Sequence, residues 1–540
     1  MNIRERAHNL TLAKAEPWYF RLFLVINLAP LLSWRFFPTA DGPSHLYNAR
    51  VILELLHSRT SPLHDFYIFN SLLNPNSSGH FLLSFFLLLF PAFIAEKLIL
   101  LIYVAGLPLG MRYLLKSTSA GNIYLGYLIF PFTWSYLFYF GFYNFNIGLV
   151  LFLPGAALWI RHRGNLTFRN ILVLTLVSSL ICLSHLFIFV EFLLFILLLN
   201  ILALLHTWKN PRAERVVFFK NCLLQLAALA FGLILLLKFV ATSLPSGSAP
   251  GYLPARDILI SLKYIMPVKG INIGEMDTIT RALLYIFSAA TLWFGAAGLY
   301  RVLVKKQPLP GTILWLVAAL VTLAGLFILP DDQAGNLGLI TSRLMIFFFI
   351  FLILWLSSQP KLPRWPGMIL FILINLVNFA VILHNFRSVA PGCKLAGEIH
   401  DLSAYIKPNQ TVLPVLNSKN MVYGHISSYL GYDKPMVLLD NYEAAQGYFP
   451  LVWNYKKNLG LFVPGLPDNS GCAGSARLES QQKLTAYVLI ISDNLQPFPV
   501  ACKERINKIL GTAYERIFTS KDGGLTLYEK KAVPMQLFTR

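Results

Sequence analysis

The chain has 540 residues, of which 56% are hydrophobic and only 13% are charged, and its mean hydropathy is +0.59. Soluble domains carry about 25% charged residues, so this composition excludes a soluble globular protein. The formal net charge is +20, but the basic residues lie in short clusters between apolar segments, where a positive-inside bias places them. The charge therefore indicates membrane topology and excludes nucleic-acid binding as its explanation.

Apolar segments recur from residue 18 to residue 384 and reach the roughly 20 residues that cross a hydrocarbon core of about 30 Å. The first follows a basic N-terminus and is too long for the core of a signal peptide, so we expect an uncleaved first span. The pattern predicts a polytopic α-helical membrane protein with about eleven transmembrane helices. The predicted spans are 18–37, 96–115, 121–140, 143–160, 170–186, 187–206, 216–241, 282–304, 311–329, 341–357 and 367–384.

Residues 80–95 are apolar enough for one more crossing, and the basic residues decide against it. If this segment does not cross, the later basic clusters fall on the same side as the basic N-terminus, as the positive-inside rule expects. We therefore expect an interfacial or re-entrant helix here, with the N-terminus cytoplasmic and the C-terminal tail outside. The clusters are Arg112/Lys116, Arg161/Arg163/Arg169, Lys209/Arg212/Arg215, Arg301/Lys305/Lys306 and Lys361/Arg364.

Residues 387–540 lack a long apolar segment and alternate helical and strand patterns. The runs TVLPVL, PMVLLD and AYVLIISD indicate short buried strands, KERINKIL indicates a helix ended by Gly511, and a hairpin turns at Gly523 and Gly524. This pattern predicts a soluble extracytoplasmic α/β domain of about 150 residues, which is one domain in size. The preceding residues, 1–386, form the predicted transmembrane domain, with a long first outer loop over 38–95.

Five cysteines show no metal-ligand spacing. Cys472 and Cys502 lie in the tail, and they can form a disulfide if the tail faces an oxidising compartment. His425 and Glu443 also lie in the tail, and we expect both to be surface residues.

The stretch FFPTADGPSHLYNA places Asp41 and His45 directly after the first span. In one interpretation Asp41 caps a helix whose first turn contains Pro43. In the other, Asp41 and His45 share a helix face, and the partly desolvated Asp41 carboxylate is a general base. Asp65 is the second carboxylate of this loop, either solvated or catalytic. Candidates for catalysis are therefore Asp41, Asp65 and His45.

Ionisable residues in or beside the spans are further candidates, because burying them in a membrane is costly. Arg343 lies at the outer start of the tenth span, where a guanidinium suits a donor phosphate unless it pairs with Asp331 or Asp332. His185 and Glu191 lie near the turn that joins the fifth and sixth spans, where they contact either substrate or interfacial water. The candidates for substrate contact are His80, Asn144, His185 and Glu191.

The order of these features resembles the GT-C superfamily of membrane glycosyltransferases, of the protein O-mannosyltransferase or lipid A aminoarabinose transferase type. The shared order is a first span, an acidic residue just beyond it in a long outer loop, about ten more spans and an outer C-terminal domain. The segment NSSGHFLLSFFLLLFPAFIAEKLILLIYVAGLPLGMRYLL is similar to the re-entrant helix and second span of that superfamily. The resemblance implies a polyprenyl-phosphate or polyprenyl-diphosphate sugar donor, with Asp41 as the base and Arg343 as the phosphate contact.

Many members of the superfamily carry a second acidic residue after the third span, where this chain has Asn144 and Asn146. The departure removes a metal ligand, so we assign no metal site and no cofactor, and dependence on a divalent metal stays open.

The expected function is inverting sugar transfer from a polyprenyl-phosphate donor to an extracytoplasmic acceptor, either a lipid-linked glycan or a protein, in the cell inner membrane. The alternatives are a transporter or flippase for lipid-linked saccharides, a polymerase or ligase, and a non-catalytic glycan-binding envelope protein. A transporter predicts charged or broken helices near the bilayer centre, whereas the polar groups here lie at the outer face. A polymerase or ligase predicts an outer loop rich in Arg and His, and residues 242–281 contain no His.

Overall fold

The computed structural model describes residues 3–70, 75–118, 120–208, 212–243, 250–271, 274–306, 312–333, 338–457, 472–492 and 499–531. Its helices are α1 (Ile3–Leu32), α2 (Gly42–His57), α3 (Leu63–Phe66), α4 (Ser78–Leu89), α5 (Ala92–Ser117), α6 (Tyr136–Tyr139), α7 (Tyr143–His162), α8 (Phe168–Ser184), α9 (Leu186–Thr207), α10 (Arg212–Ser243), α11 (Ala255–Lys263), α12 (Asp277–Leu303), α13 (Ile313–Ile328), α14 (Ile340–Ser357), α15 (Arg364–Leu402), α16 (Cys472–Gln481) and α17 (Val500–Ala513). Its strands are β1 (Tyr67–Phe69), β2 (Pro250–Gly251), β3 (Asp332–Gln333), β4 (Thr411–Asn417), β5 (Val437–Leu438), β6 (Leu451–Trp453), β7 (Tyr487–Ser492), β8 (Tyr514–Thr519) and β9 (Leu525–Lys530).

Within the described residues, seven helices are long and apolar enough to cross a membrane: α5, α7, α9, α10, α12, α14 and α15. Two predicted spans form the shorter apolar helices α8 and α13, with 17 and 16 residues. At 1.5 Å per residue each is about 25 Å long, slightly less than a hydrocarbon core of about 30 Å. The chain is thus a mostly helical membrane protein, as its composition predicts.

The predicted span over 121–140 is wrong in its secondary structure. Residues Ile123–Trp134 form a 3-10 helix, and α6 adds one further turn after it. Pro131 lies inside this segment and lacks an N–H group, so it cannot donate the hydrogen bond that an α-helix interior needs. Hydropathy measures only the apolar character of such a segment, and that character is consistent with its burial.

The apolar segment over 80–95 breaks in the middle. Helix α4 has 12 residues and ends before Phe90 and Pro91, and α5 begins at Ala92. A 12-residue helix is about 18 Å long, which is too short to cross a hydrocarbon core of about 30 Å. The length therefore agrees with the expected interfacial or re-entrant helix.

The chain divides into two compact units. The helical unit contains residues 1–33, 100–138 and 143–388, and the loop–tail unit contains residues 34–99, 139–142 and 389–540. The predicted boundary at 386/387 lies inside the continuous helix α15. The predicted first outer loop, 38–95, groups with the C-terminal tail and not with the transmembrane helices.

In the helical unit, α14 is the most buried candidate span. Its side chains are buried on almost every face, and it packs against α13 and against the 3-10 helix Ile123–Trp134. A helix that is apolar all round and buried all round is typical of the centre of a membrane bundle. Arg343 lies in the first turn of this helix.

In the loop–tail unit, five strands form a mixed sheet in the order β5-β4-β7-β9-β8. The strands β5, β4 and β7 are parallel, while β9 is antiparallel to both β7 and β8. The predicted hairpin is confirmed, and Gly523 has φ +75° at its turn, a conformation that glycine adopts without strain. The helix expected to end at Gly511 continues to Ala513.

Two further links hold the tail together and join it to the first loop. Cys472 and Cys502 form a disulfide, which the sequence left open, between the first residue of α16 and α17. The strand β6 of the tail pairs antiparallel with β1 of the first loop, with Tyr67 opposite Trp453. Their rings stack at 4.5 Å, so the pairing also buries two large aromatic side chains.

Candidate functional site

The backbone around Asp41 is fixed by a short segment that lies about 100 residues further along the chain. The amide of Ala40 donates to the carbonyl of Tyr139 at 2.8 Å, and the amide of Asp41 donates to the carbonyl of Phe140 at 3.0 Å. Gly141 has φ +82°, and a Cβ atom there would lie 2.5 Å from the amide nitrogen of Gly42. Only glycine therefore allows this approach, which sets the position of Asp41.

The Asp41 side chain does not cap the helix that follows it. Helix α2 begins at Gly42, and Asp41 at the cap position makes no side-chain hydrogen bond to the helix. Thr39 Oγ1 accepts a hydrogen bond from the amide of Gly42 at 3.2 Å. The capping interpretation is thus wrong, and the Asp41 carboxylate is available for other contacts.

Three buried side chains from separate parts of the chain meet near Asp41. His45 Nδ1 is 2.8 Å from Glu443 Oε1, and His80 Nε2 is 2.8 Å from Glu443 Oε2. The two imidazole rings meet edge to face at 5.0 Å, and the ring of Phe449 packs against both. We call His45, His80 and Glu443 the His–Glu–His cluster, and it joins α2, α4 and the tail.

A pair of asparagines supports the Glu443 carboxylate. Asn48 Nδ2 donates to Glu443 Oε2 at 2.8 Å, and Asn441 Nδ2 donates to Asn48 Oδ1 at 2.6 Å. The backbone carbonyl of Asn441 accepts from the indole of Trp453 at 3.0 Å. Each of these residues is buried, so the hydrogen bonds hold Glu443 in one orientation.

Burial and the interactions among the three side chains determine the pKa values in the His–Glu–His cluster. Burial alone would raise the pKa of Glu443, but the imidazoles of His45 and His80 more than offset it and hold this pKa well below its usual range. Burial lowers the pKa of His45, but the Glu443 carboxylate, the charge of Asp41 and the hydrogen bond to Gly141 together raise it by more, so that the pKa is raised. Glu443 is therefore a buried anion, and because burial lowers the pKa of His80, the balancing positive charge lies at its contact with His45.

Asp41 is the most exposed member of this region, with 17% of its side chain accessible, against 5% for His425 and none for Glu443. Its Oδ1 lies 3.7 Å from His425 Nε2, and its carboxylate accepts a hydrogen bond from Tyr442. Burial raises the pKa of Asp41 to about 7, although the charge of His45 opposes the shift. A carboxylate with this pKa can accept and release a proton near neutral pH.

Two of these residues were expected at the surface, and that expectation is wrong. His425 and Glu443 are both buried, and the ring of His425 stacks on Tyr442 at 4.1 Å. Burial lowers the pKa of His425 to about 3, so its imidazole is neutral at physiological pH. The sequence did contain a signal for this burial. Both ionisable residues lie in a tail of predicted buried strands, and Glu443 follows the aromatic residue Tyr442.

Asp65 lies in a different environment. Its side chain is 61% exposed, and its Oδ1 pairs with Lys457 Nζ at 2.6 Å. His64 beside it contacts the backbone carbonyl of Ser58 at 3.0 Å. These contacts describe a solvated surface carboxylate, and they give no support to a catalytic role for Asp65.

Four other candidates belong to the helical unit, where two of them, Arg343 and His185, contact the same aromatic ring. The Arg343 guanidinium lies over the ring of Phe145 at 5.8 Å, and the ring of His185 meets the same ring edge-on at 5.5 Å. His185 Nδ1 also accepts a hydrogen bond from the amide of Phe187, which caps α9. Asn144 is buried in the first turn of α7, next in sequence to Phe145. Glu191 is buried one and a half turns after His185 on α9.

Two further polar side chains lie at or near the first turns of α14 and α7 in the helical unit. Asp331 Oδ1 accepts a hydrogen bond from the amide of Thr341 at 2.8 Å, in the first turn of α14. The amide oxygen and nitrogen of the Asn146 side chain are buried and have no hydrogen-bond partner among the described residues. A buried amide without partners is costly, so this part of α7 is suited to a polar ligand or water.

The metal that the GT-C resemblance allows does not fit the residues at the matching positions. Asn144 and Asn146 offer neutral amides where a second carboxylate would be needed, and Asp41 is a single carboxylate. Mg²⁺ and Mn²⁺ prefer carboxylate oxygens. We derive no catalytic step through such a metal.

Solved structures of membrane proteins include chains similar to this one. The present chain is similar to the arabinofuranosyltransferase AftD from mycobacteria, determined by cryo-electron microscopy, at 14% identity and a TM-score of 0.42, over 95% of this chain and 41% of that chain. The chain thus spans about two-fifths of the length of that protein. No protein-family model and no curated protein matches. A likeness at this TM-score supports no conclusion about function. A functional proposal therefore rests on the residues of this chain.

Proposed function

We propose that this chain is a membrane glycosyltransferase that moves a sugar from a polyprenyl-phosphate donor to an extracytoplasmic acceptor, either a lipid-linked glycan or a protein. Asp41 is the general base. The order of the first span, Asp41, the broken helix pair α4 and α5, and the C-terminal tail supports the proposal, because it resembles the layout of the GT-C superfamily.

The observation that carries the proposal is the orientation of Asp41. Its carboxylate is not used as a helix cap, and it faces His425 and Tyr442 while staying partly accessible. A general base needs this combination, because it must be held in place by its neighbours and still reach the acceptor hydroxyl. The raised pKa of Asp41, about 7, matches the base to neutral pH.

The proposed reaction is a single displacement with inversion. Asp41 takes the proton of the acceptor hydroxyl as the oxygen bonds to the anomeric carbon of the donor sugar. The bond between that carbon and the phosphate oxygen breaks, and its electron pair leaves with the polyprenyl phosphate. Positive charge at the leaving phosphate stabilises this step, and we assign that role to Arg343.

His45 acts as a positioning residue in this proposal. It lies four residues after Asp41, its Nδ1 is 2.8 Å from Glu443 Oε1, and a cation at this contact, whether a proton or a metal ion, opposes the rise in the Asp41 pKa. His80, Asn144, His185 and Glu191 stay proposed substrate contacts.

The proposed location is the cell inner membrane, with the N-terminus in the cytoplasm and the tail outside. The positions of the basic clusters support this orientation. The disulfide between Cys472 and Cys502 supports an oxidising environment for the tail.

Mass spectrometry of cell-envelope glycans tests the proposal in cells. A strain that lacks the gene is complemented with the wild-type chain, with Asp41→Asn or with Asp65→Asn. We expect the wild type and Asp65→Asn to restore a sugar that is missing in the deletion strain, and Asp41→Asn to leave it missing at equal membrane abundance. Restoration by Asp41→Asn, or an unchanged glycan profile in the deletion strain, contradicts the proposal.

A further inference from the structure

The His–Glu–His cluster has the composition of a metal site. His45, His80 and Glu443 are all more than nine-tenths buried, and one ligand atom from each lies within 4.8 Å of the others. We propose that this cluster binds a divalent transition metal, with Zn²⁺ as the ion that suits it, and that the metal ties α2 and α4 to the tail. This inference does not depend on sugar transfer by the chain.

The hydrogen bonding of His45 supports the proposal. Its ring donates to the backbone carbonyl of Gly141, and a carbonyl oxygen can only accept. A neutral His45 therefore keeps its proton on the nitrogen that faces Gly141, and it presents the Nδ1 lone pair to Glu443 Oε1, 2.8 Å away. Two acceptor atoms at this distance require a cation, which is either a proton or a metal ion. Histidines that ligate a metal usually donate their other N–H to such a carbonyl.

The ligand set matches zinc chemistry. Zinc binds imidazole nitrogens and carboxylate oxygens at about 2.0–2.2 Å, so ligand atoms in a tetrahedral shell lie about 3.4 Å apart. The contacts from Glu443 to His45 and to His80 are both 2.8 Å. The ligand atoms as a set lie within 4.8 Å of one another, so side-chain rotations that lengthen the short contacts by about 0.6 Å and shorten the widest separation by up to about 1.4 Å give that spacing. Two histidines and one glutamate leave the fourth position to a water molecule.

The surroundings also suit a bound cation. Asn48 donates to Glu443 Oε2 at 2.8 Å and fixes the carboxylate, as residues behind a metal ligand commonly do. Asp41 is close enough to interact electrostatically with both His45 and Glu443. The two carboxylates together balance the double charge of Zn²⁺. Phe449 covers the two rings with an apolar face and limits access of water.

A protonated His45 paired with Glu443 is the competing explanation of the same contacts, and metal content separates the two. The experiment uses the full chain without a polyhistidine tag, purified in detergent, loaded with Zn²⁺ and passed through a desalting column with a weak chelator. Metal is measured by inductively coupled plasma mass spectrometry. The variants are Glu443→Gln and His80→Gln, with Glu96→Gln as the matched control. Glu96 is a buried carboxylate of the same unit that accepts a hydrogen bond from Tyr429 at 2.9 Å.

We expect about one Zn²⁺ per chain in the wild type and in Glu96→Gln, and a loss of at least tenfold in Glu443→Gln and His80→Gln. Zinc should also raise the melting temperature of the wild type and leave that of Glu443→Gln unchanged. Equal zinc content in Glu443→Gln and the wild type overturns the proposal, as does a wild type that retains no zinc.

Cobalt spectroscopy on the wild type keeps the proposal testable if the variants do not fold. Co²⁺ in a four- or five-coordinate protein site absorbs in the visible range far more strongly than hexaaqua Co²⁺, and Zn²⁺ should displace it at one equivalent per chain. A wild type whose Co²⁺ spectrum stays that of the aqueous ion overturns the proposal.

Discussion

Two regions of the first outer loop carry a carboxylate near a histidine in the sequence, and the structure gives them opposite environments. Asp41, with His45 four residues later, lies beside the buried His–Glu–His cluster and faces His425 and Tyr442. Asp65, next to His64, is exposed and pairs with Lys457. The residue types are alike, so burial and the partners supplied by the tail decide which carboxylate can act as a base.

The pH dependence of sugar transfer should show the largest difference between the two regions. Asp41 works as a base only when it is deprotonated, and its pKa is about 7. The rate constant kcat/KM should therefore fall as the pH drops through 7, by about 50-fold from pH 7 to pH 5, with the slope approaching about tenfold per pH unit well below pH 7. The measurement is an initial-rate profile from pH 5 to pH 9 in buffer with a chelator. A flat profile over this range excludes Asp41 as a base with this pKa.

Gly141→Ala should displace the Asp41 region and leave the Asp65 region in place. The new Cβ meets the backbone of Gly42 at 2.5 Å, and the positive φ adds strain, so we expect a loss of about 1–3 kcal/mol in stability together with reduced activity. Gly447→Ala is the matched control, because a Cβ there has no atom within 4 Å. Thermal unfolding and sugar transfer are measured for both variants. Equal melting temperatures would show that Gly141 is not required.

Tyr442→Phe should shift the pH profile without abolishing transfer. The Tyr442 hydroxyl donates to Asp41 and lowers the pKa of the charged carboxylate, so its removal raises that pKa. The midpoint of the profile then moves to higher pH. Tyr455→Phe removes a hydroxyl from a more exposed tyrosine of the same unit and should leave the midpoint unchanged. A midpoint that moves to lower pH contradicts the assigned contact.

Lys457→Ala should have the smallest effect. Both side chains of the Lys457–Asp65 pair are exposed, and surface ion pairs contribute about 1 kcal/mol or less. We expect a change in melting temperature close to the error of the measurement and full activity. A large loss of activity would show that the Asp65 region takes part in the reaction and would break the comparison.

Much of the fold follows from the sequence because hydropathy and strand patterns are local. The apolar runs predicted most of the membrane helices, and the Gly523 turn predicted the hairpin of β8 and β9. The prediction of a helical span over residues 121–140 was wrong, because apolar character does not distinguish an α-helix from a 3-10 helix that contains Pro131.

The site was predictable only in part, because it is assembled from distant segments. The sequence pointed to Asp41, His45 and His80, but it placed the buried residues His425 and Glu443 at the surface. The close approach of Gly141 to the backbone of Gly42 and the pairing of β1 with β6 depend on tertiary structure. Local pattern carries no information on contacts across almost 400 residues, such as that between His45 and Glu443.

The most direct test of the central claim compares Asp41→Asn with Asp65→Asn in purified protein. Transfer of a radiolabelled sugar from a polyprenyl-phosphate donor is measured at equal amounts of folded chain. Asp41→Asn should lower the rate by about 10²–10⁴-fold, which is the range that a general base contributes, and Asp65→Asn should retain a rate within about twofold of the wild type. Equal rates for Asp41→Asn and the wild type would contradict the assignment of Asp41 as the base.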